Sequence, residues 1–222
     1  MKLMVISDTP DPGLWDFFSE KKLQGADAII SCGDLPASYL TFLVTLANKP
    51  LFYVHGNHDT RYEQQPPEGC CCIDGTVADF RGYRILGLGG CMEYSGGAHQ
   101  YTERQMERRI AKLRRQMKKG GVDILVTHAP AEDLGDLDDP CHRGFTCFRD
   151  LMAGFNPLYH FHGHVHLQYL PPTWPRVRQF GETTVVNASG KYFVELPDRP
   201  YAVQPKKGLK GLMLKLRGTG AL

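Results

Sequence analysis

No apolar run in the 222 residues approaches the roughly 20 needed to span a bilayer, which excludes a membrane-spanning helix. An excess of charge of either sign is also missing. Lys plus Arg is 26, Asp plus Glu is 24, and the net charge is +2, so composition gives no global signal for a nucleic acid or a membrane partner. Cysteines at CxxC spacing are absent, which removes the common zinc-finger and zinc-ribbon patterns. The first residues, MKLMVISD, lack the long apolar stretch and small-residue cleavage site of a signal peptide and read as a first strand. Internal repeats, interdomain linkers, base-stacking platforms and glycine-rich nucleotide fingerprints are missing too.

What is present reads as an ordinary globular protein. Hydrophobic residues make up 42%, enough for one domain with a substantial core. The 7 cysteines are an odd number, which implies reduced thiols and a cytoplasmic location. Cys70, Cys71 and Cys72 read as partly buried thiols near a strand start.

Six apolar runs each end at a polar, chemically useful residue. They lead into Ser7-Asp8, Gly33-Asp34, the stretch His55 to Asp59, Thr127-His128, His162-Gly163-His164 and Asn187. Short β-rich runs alternating with helical stretches indicate an α/β protein. Ligands in such folds bind at the carboxyl ends of strands, so the six loops are expected along one edge of a sheet. Helices are expected over 13–22, 36–47 and 102–119. The last has Met106, Ile110, Leu113 and Met117 on one face and eight Lys and Arg elsewhere, read as a solvated outer face. Hairpins are expected at 77–88 and 176–187, with a further strand near 191–196. Residues 129–146 form a long loop of the kind that often carries function. Residues 1–196 are taken as one domain and 197–222 as a C-terminal extension, a closing strand, a short helix or a tail.

Two carboxylates, an amide and several imidazoles at neighbouring strand ends suit divalent ions. Oxygen donors favour hard ions such as Mn²⁺, with Mg²⁺ an alternative, and imidazole adds affinity for Fe and Zn. Two ions about 4 Å apart can clamp a phosphate and lower the pKa of bound water toward about 7.

The ordered motifs Asp8, Gly33-Asp34, Gly56-Asn57-His58-Asp59, Thr127-His128 and Gly163-His164-Val165-His166 together resemble the calcineurin-like metallophosphoesterase superfamily over roughly residues 1–196. The resemblance implies two packed mixed β-sheets flanked by helices, a four-layer α/β/β/α sandwich. It implies a phosphoester substrate and two divalent ions. Asp34 would bridge the ions, Asp8 and His166 would hold the first, and Asn57, His128 and His164 the second. His58 would meet the phosphate and assist the leaving group, so that His58 and Asp34 carry the catalysis. A phosphodiester is slightly favoured over a monoester. His142, in the long loop, is a candidate substrate contact, while His55, His160 and His162 are read as structural neighbours of the motifs. Asn187 and Ser189 either line the same edge or make a turn.

The sequence departs from the family pattern at two places. Pro10 stands where the first motif carries a His, so the first ion loses an imidazole. Asp11 either reaches in to replace it or caps a helix beside Pro12, the second being favoured. Ala37 stands where many members have an Asp, which leaves Asp59 as the local group to orient His58. Two other readings follow: a single-metal binding or regulatory module that has lost catalysis, and a nuclease using the basic face of 102–119.

Overall fold

A computed structural model describes residues 1–199; most of the 197–222 extension therefore lies outside the described residues. In chain order the strands are β1 (Lys2–Ser7), β2 (Ala28–Ser31), β3 (Leu51–Tyr53), β4 (Cys71–Cys72), β5 (Thr76–Phe80), β6 (Tyr83–Leu88), β7 (Cys91–Met92), β8 (Gln100–Tyr101), β9 (Ile124–Thr127), β10 (Tyr159–His162), β11 (Val177–Phe180), β12 (Thr183–Asn187) and β13 (Gly190–Glu195). The helices are α1 (Pro12–Trp15), α2 (Ala37–Ala47), α3 (Glu103–Gly120) and α4 (Thr146–Phe155).

The strands form two large sheets and a small ribbon. The first sheet has the order β13-β1-β2-β3-β4, the second β11-β12-β10-β9-β6-β5, and β7 pairs with β8. β1 to β4 run parallel, and β13 closes the edge antiparallel to β1. In the second sheet β12, β10, β9 and β6 run parallel between antiparallel edge strands.

Successive side chains of a strand point to opposite faces, and here both faces are covered. Leu3, Val5 and Ile30 of the first sheet meet Ile85, Val126, Phe161 and Val186 of the second in one cluster between the sheets. Met4, Ile6 and Ile29 point the other way, onto Leu14 of α1 and Leu40 and Leu43 of α2. Leu86, Leu125 and Val185 likewise point outward, onto Met106 and Leu113 of α3 and Phe148 of α4. Burial on both faces explains why the strands read as continuous apolar runs instead of alternating ones. The result is the four-layer arrangement the resemblance implied.

The hairpins appear where expected, at β5–β6 and β11–β12. The later strand, β13, crosses over to the first sheet. Helix α3 matches its expected range and is capped by Thr102, whose hydroxyl accepts from Gln105 N while Gln105 Oε1 accepts from Thr102 N, 2.7 Å. The expected helix over 13–22 is reduced to a single turn, α1, and a 3₁₀ turn at 20–23. Lys22 Nζ donates to the carbonyls of Gly13 and Phe17, 2.9 and 2.6 Å, taking acceptors that a continuing helix would use.

Helix α4 was not foreseen. Its N-cap, Phe145, has no capping side chain. The orphan N–H groups of Thr146 and Cys147 instead donate to the two carboxylate oxygens of Glu103 on α3, at 3.2 and 2.7 Å. Glu103→Ala is expected to lower the unfolding free energy by about 1–2 kcal/mol, the size of a lost cap. The check is a lower urea midpoint with an unchanged m-value; an unmoved midpoint would mean that water caps α4 equally well.

Candidate metal centre

The six polar strand ends do meet, but not on one sheet. β1, β2 and β3 belong to the first sheet, and β9, β10 and β12 to the second. Their carboxyl ends face each other across the seam of the sandwich, so each sheet supplies half of the site.

His128, at the end of β9, is fully buried and links the halves. Its Nδ1 donates to Cys32 O at 2.8 Å, beyond the end of β2. That turns Nε2 toward the seam. Three further atoms gather on Nε2: Asn57 Oδ1 at 2.9 Å, His164 Nδ1 at 3.1 Å and Asp34 Oδ2 at 3.3 Å. One imidazole nitrogen carries at most one proton, so it cannot satisfy three partners. Donors bonded to a common ion at about 2.1 Å lie roughly 3.0–3.4 Å apart in tetrahedral or octahedral geometry, and these spacings fit. Asp34, His128 and His164 bring ligand atoms within 4.8 Å of one another.

The surrounding contacts hold the donors in that direction. His164 Nε2 donates to Cys141 O at 2.7 Å, leaving Nδ1 for the site. Asn57 Nδ2 donates to Tyr94 Oη at 3.4 Å, which turns Oδ1 inward. The backbone N–H of His58 donates to Asp34 Oδ1 at 2.8 Å. Beside this set, Asp8 Oδ1 accepts from His164 N at 2.8 Å, while Asp8 Oδ2 and His166 Nδ1 are buried without a partner. An unpartnered buried carboxylate oxygen is costly, and an ion would satisfy it.

The backbone is bent to reach this arrangement. Asp8, Asp34 and His164 all have positive φ, at 65°, 56° and 67°, a conformation costing non-glycine residues about 1–3 kcal/mol. At Gly56 any Cβ would run into the Asp34 carboxylate, so glycine is required for close approach, not for its turn. Gly33 has φ of +98° and lies against Gly56 and His128.

Titration follows the crowding. Burial disfavours the charged form of His128, but the Asp34 carboxylate outweighs it and lifts the pKa to about 9. Burial pushes Asp34 up, yet His128 and the His58 amide hold it well below the usual carboxylate range. Burial, reinforced by His128, lowers His164 to about 3, so it stays neutral as a ligand must. Burial raises Asp8 against the pull of His128 and His166.

Asp11 does not reach the site. Its Oδ1 accepts from Gly13 N at 2.7 Å as a helix cap, and its Oδ2 pairs with Lys191 at 2.6 Å. Asp59 does not orient the His58 ring either. Asp59 Oδ2 accepts from the amides of Asp34 and Gly56, 2.8 and 2.7 Å, and so braces the two loops. His58 itself is exposed. His142 lies at the rim, its ring 5.1 Å from that of His164, with Nδ1 bound to Asp139. His160 and His162 are buried away from the donor cluster, His160 on Thr127 at 2.8 Å and His162 on the Gly163 carbonyl at 3.1 Å. Asn187 both makes a turn and holds the neighbouring loop, accepting from Ser189 N and donating to Val165 O. Sequence reasoning missed Tyr94 and the carbonyls of Cys32 and Cys141. Nothing in the local pattern marks a carbonyl, and Tyr94 has no motif around it.

A model of the calcineurin-like phosphoesterases matches residues 1–168. The chain belongs to the calcineurin-like phosphoesterase family. It is therefore a metallophosphoesterase, a metal-dependent hydrolase of phosphoesters. Among solved structures it is similar to TT1561 of Thermus thermophilus, at 20% identity and a TM-score of 0.57, over 85% of this chain and 89% of that one; this is a likeness of fold. A phosphoesterase from E. coli, YfcE, aligns at 17% identity over 90% of this chain and 85% of that one, with a TM-score of 0.38. No curated protein matches the chain.

The raised pKa of His128 has a consequence for stability. A group whose pKa rises on folding contributes stability that is complete below its unfolded value, 6.5, and lost as the pH climbs through about 9. Chelator-treated protein should therefore lose stability between those values, while its affinity for a divalent ion rises as the competing proton leaves. Urea denaturation across this range checks the first expectation. Asp34→Asn should flatten the dependence, and a metal-free protein that grows more stable toward pH 9 would contradict it.

Proposed function

We propose that the protein hydrolyses a phosphodiester, in preference to a phosphomonoester, with two divalent ions, Mn²⁺ foremost. The observation that carries this reading is the convergence of Asp34 Oδ2, Asn57 Oδ1 and His164 Nδ1 on His128 Nε2. The second ion would take those four donors. The first would take Asp8 and His166, whose buried atoms lack partners, and share Asp34. When bound, the ions supply the positive charge that makes water nucleophilic near neutral pH and offsets the charge of the phosphate.

The chain's own residues do the rest. Asp34 would serve both ions, its carboxylate held by the His58 amide and the His128 ring. His58, which is exposed, would meet the incoming phosphate and deliver a proton to the departing ester oxygen. His142 meets the substrate at the rim. With Pro10 and a committed Asp11, the first ion has three protein donors against four for the second, so it is the weaker site. The preference for a diester rests on family likeness. Residues 1–196 form the catalytic domain, and seven free cysteines support a reducing cytoplasmic setting.

Turnover of a chromogenic diester by Mn²⁺-loaded protein should fall at least a hundredfold in Asp34→Asn, and about 10²-fold or more in His58→Ala. Undiminished turnover in Asp34→Asn would sink the assignment. Calorimetric titration of the chelated protein with Mn²⁺ should resolve a tight and a weak class of site. A single class with full turnover would remove the second ion from the proposal.

A further inference from the structure

Helix α3 carries the densest charge in the molecule on a face that the hydrolytic site does not use. Residues 103–120 hold eight Lys and Arg against two Glu, a net of +6, which leaves −4 for the remaining chain out of a total of +2. Arg109 faces inward and pairs with Asp74 at 2.5 Å, and Glu103 is occupied at α4. Seven cations stay on the outside with only Glu107.

At 100° and 1.5 Å per residue, Arg104, Arg108, Lys112, Arg115 and Lys119 fall within an arc of about 80° and run about 22 Å along the axis. All five are exposed, with Arg114 and Lys118 flanking them. None forms an ion pair among the described residues, where seven other Lys or Arg side chains do. The pairs 104/108, 108/112, 114/118 and 115/119 are like-charged at i, i+4, which weakens a helix. A merely solvated face is usually laced with opposite charges instead.

We infer that this outer face of α3 binds nucleic acid through its phosphate chain, with Arg104, Arg108, Lys112, Arg115 and Lys119 as the contacts. A row of cations repeating about every 6 Å along a rod suits a polymer of evenly spaced phosphates. The stripe has no aromatic side chain to stack a base, so binding is independent of sequence. A membrane is the poorer fit: charge alone adsorbs a basic helix to anionic lipid, but anchoring it in the bilayer surface requires apolar side chains to insert. Those of α3, Met106, Leu113 and Met117, are buried under the second sheet. The helix starts after β8, at the carboxyl edge that carries the metal centre, and runs back to β9. The surface is argued apart from the hydrolytic reading, and its test is arranged so that the two fail separately.

Fluorescence anisotropy of labelled RNA, single-stranded DNA and duplex DNA, each about 20 nucleotides long to exceed the stripe, tests it, with full-length protein in EDTA and with Asp34→Asn, so that no turnover intervenes. Binding should weaken steeply with salt, log K falling with log salt at a slope of roughly −3.5 to −4.5 for five contacts. The triple substitution Arg104→Gln, Arg108→Gln, Arg115→Gln should weaken binding at least tenfold and flatten the slope by about 2–3. Lys21→Gln with Lys49→Gln, exposed elsewhere, should change neither, and circular dichroism verifies that the helix persists in all variants. Absent or salt-insensitive binding, an unchanged triple variant, or capture by anionic vesicles without capture of nucleic acid would each overturn the proposal.

Discussion

The molecule turns on one imidazole that crosses the seam between its sheets. His128 is carried by the second sheet, donates to a carbonyl of the first, and presents Nε2 to Asp34 and Asn57 from the first and His164 from the second. Remove that crossing and the donors belong to two separate edges. Because the sheets are packed through a buried apolar layer that includes Val, Ile and Phe, neither edge can slide to compensate, and the geometry is held by the core.

Around that contact the chain accepts local strain. Three site residues sit in the left-handed region, and the bend is stabilised by hydrogen bonds passed from loop to loop. Asp8 accepts from the His164 amide, Asp59 from those of Asp34 and Gly56, and Asn187 restrains the Val165 carbonyl. These contacts explain why polar residues cluster in loops that are nearly as buried as the core. They also give the broken first motif a physical meaning. Pro10 brings no donor and Asp11 is held by a helix end and a lysine, so neither residue adds a ligand beside Asp8.

Helix α3 shows how one element can serve several layers. Its apolar face closes the outer core of the second sheet, and Arg109 reaches Asp74, which in turn holds His55 beside the Gly56 loop at 3.1 Å. Glu103 caps a helix 43 residues further on. These attachments use the inner side and the first turn. The outer charges take no part in them.

The sequence by itself determined the longer strands, the two hairpins and the extent of α3. Each of those is a local signal: apolar runs that lead into polar residues, the Arg81-Gly82 and Gly181-Glu182 turns, and the helical spacing of Met106, Ile110, Leu113 and Met117. Tertiary structure decided what depends on residues far apart in the chain. The six strand ends are split between two sheets because β1, β2 and β3 pair with one another while β9, β10 and β12 pair among themselves. α1 stops early because Lys22 takes its carbonyls, and α4 exists because Glu103 satisfies its N–H groups. The fate of Asp11 and Asp59, and the aim of the Asn57 side-chain oxygen toward His128, were likewise settled by Lys191, by backbone amides and by Tyr94. In each case a side chain meets a group whose position only the folded chain defines.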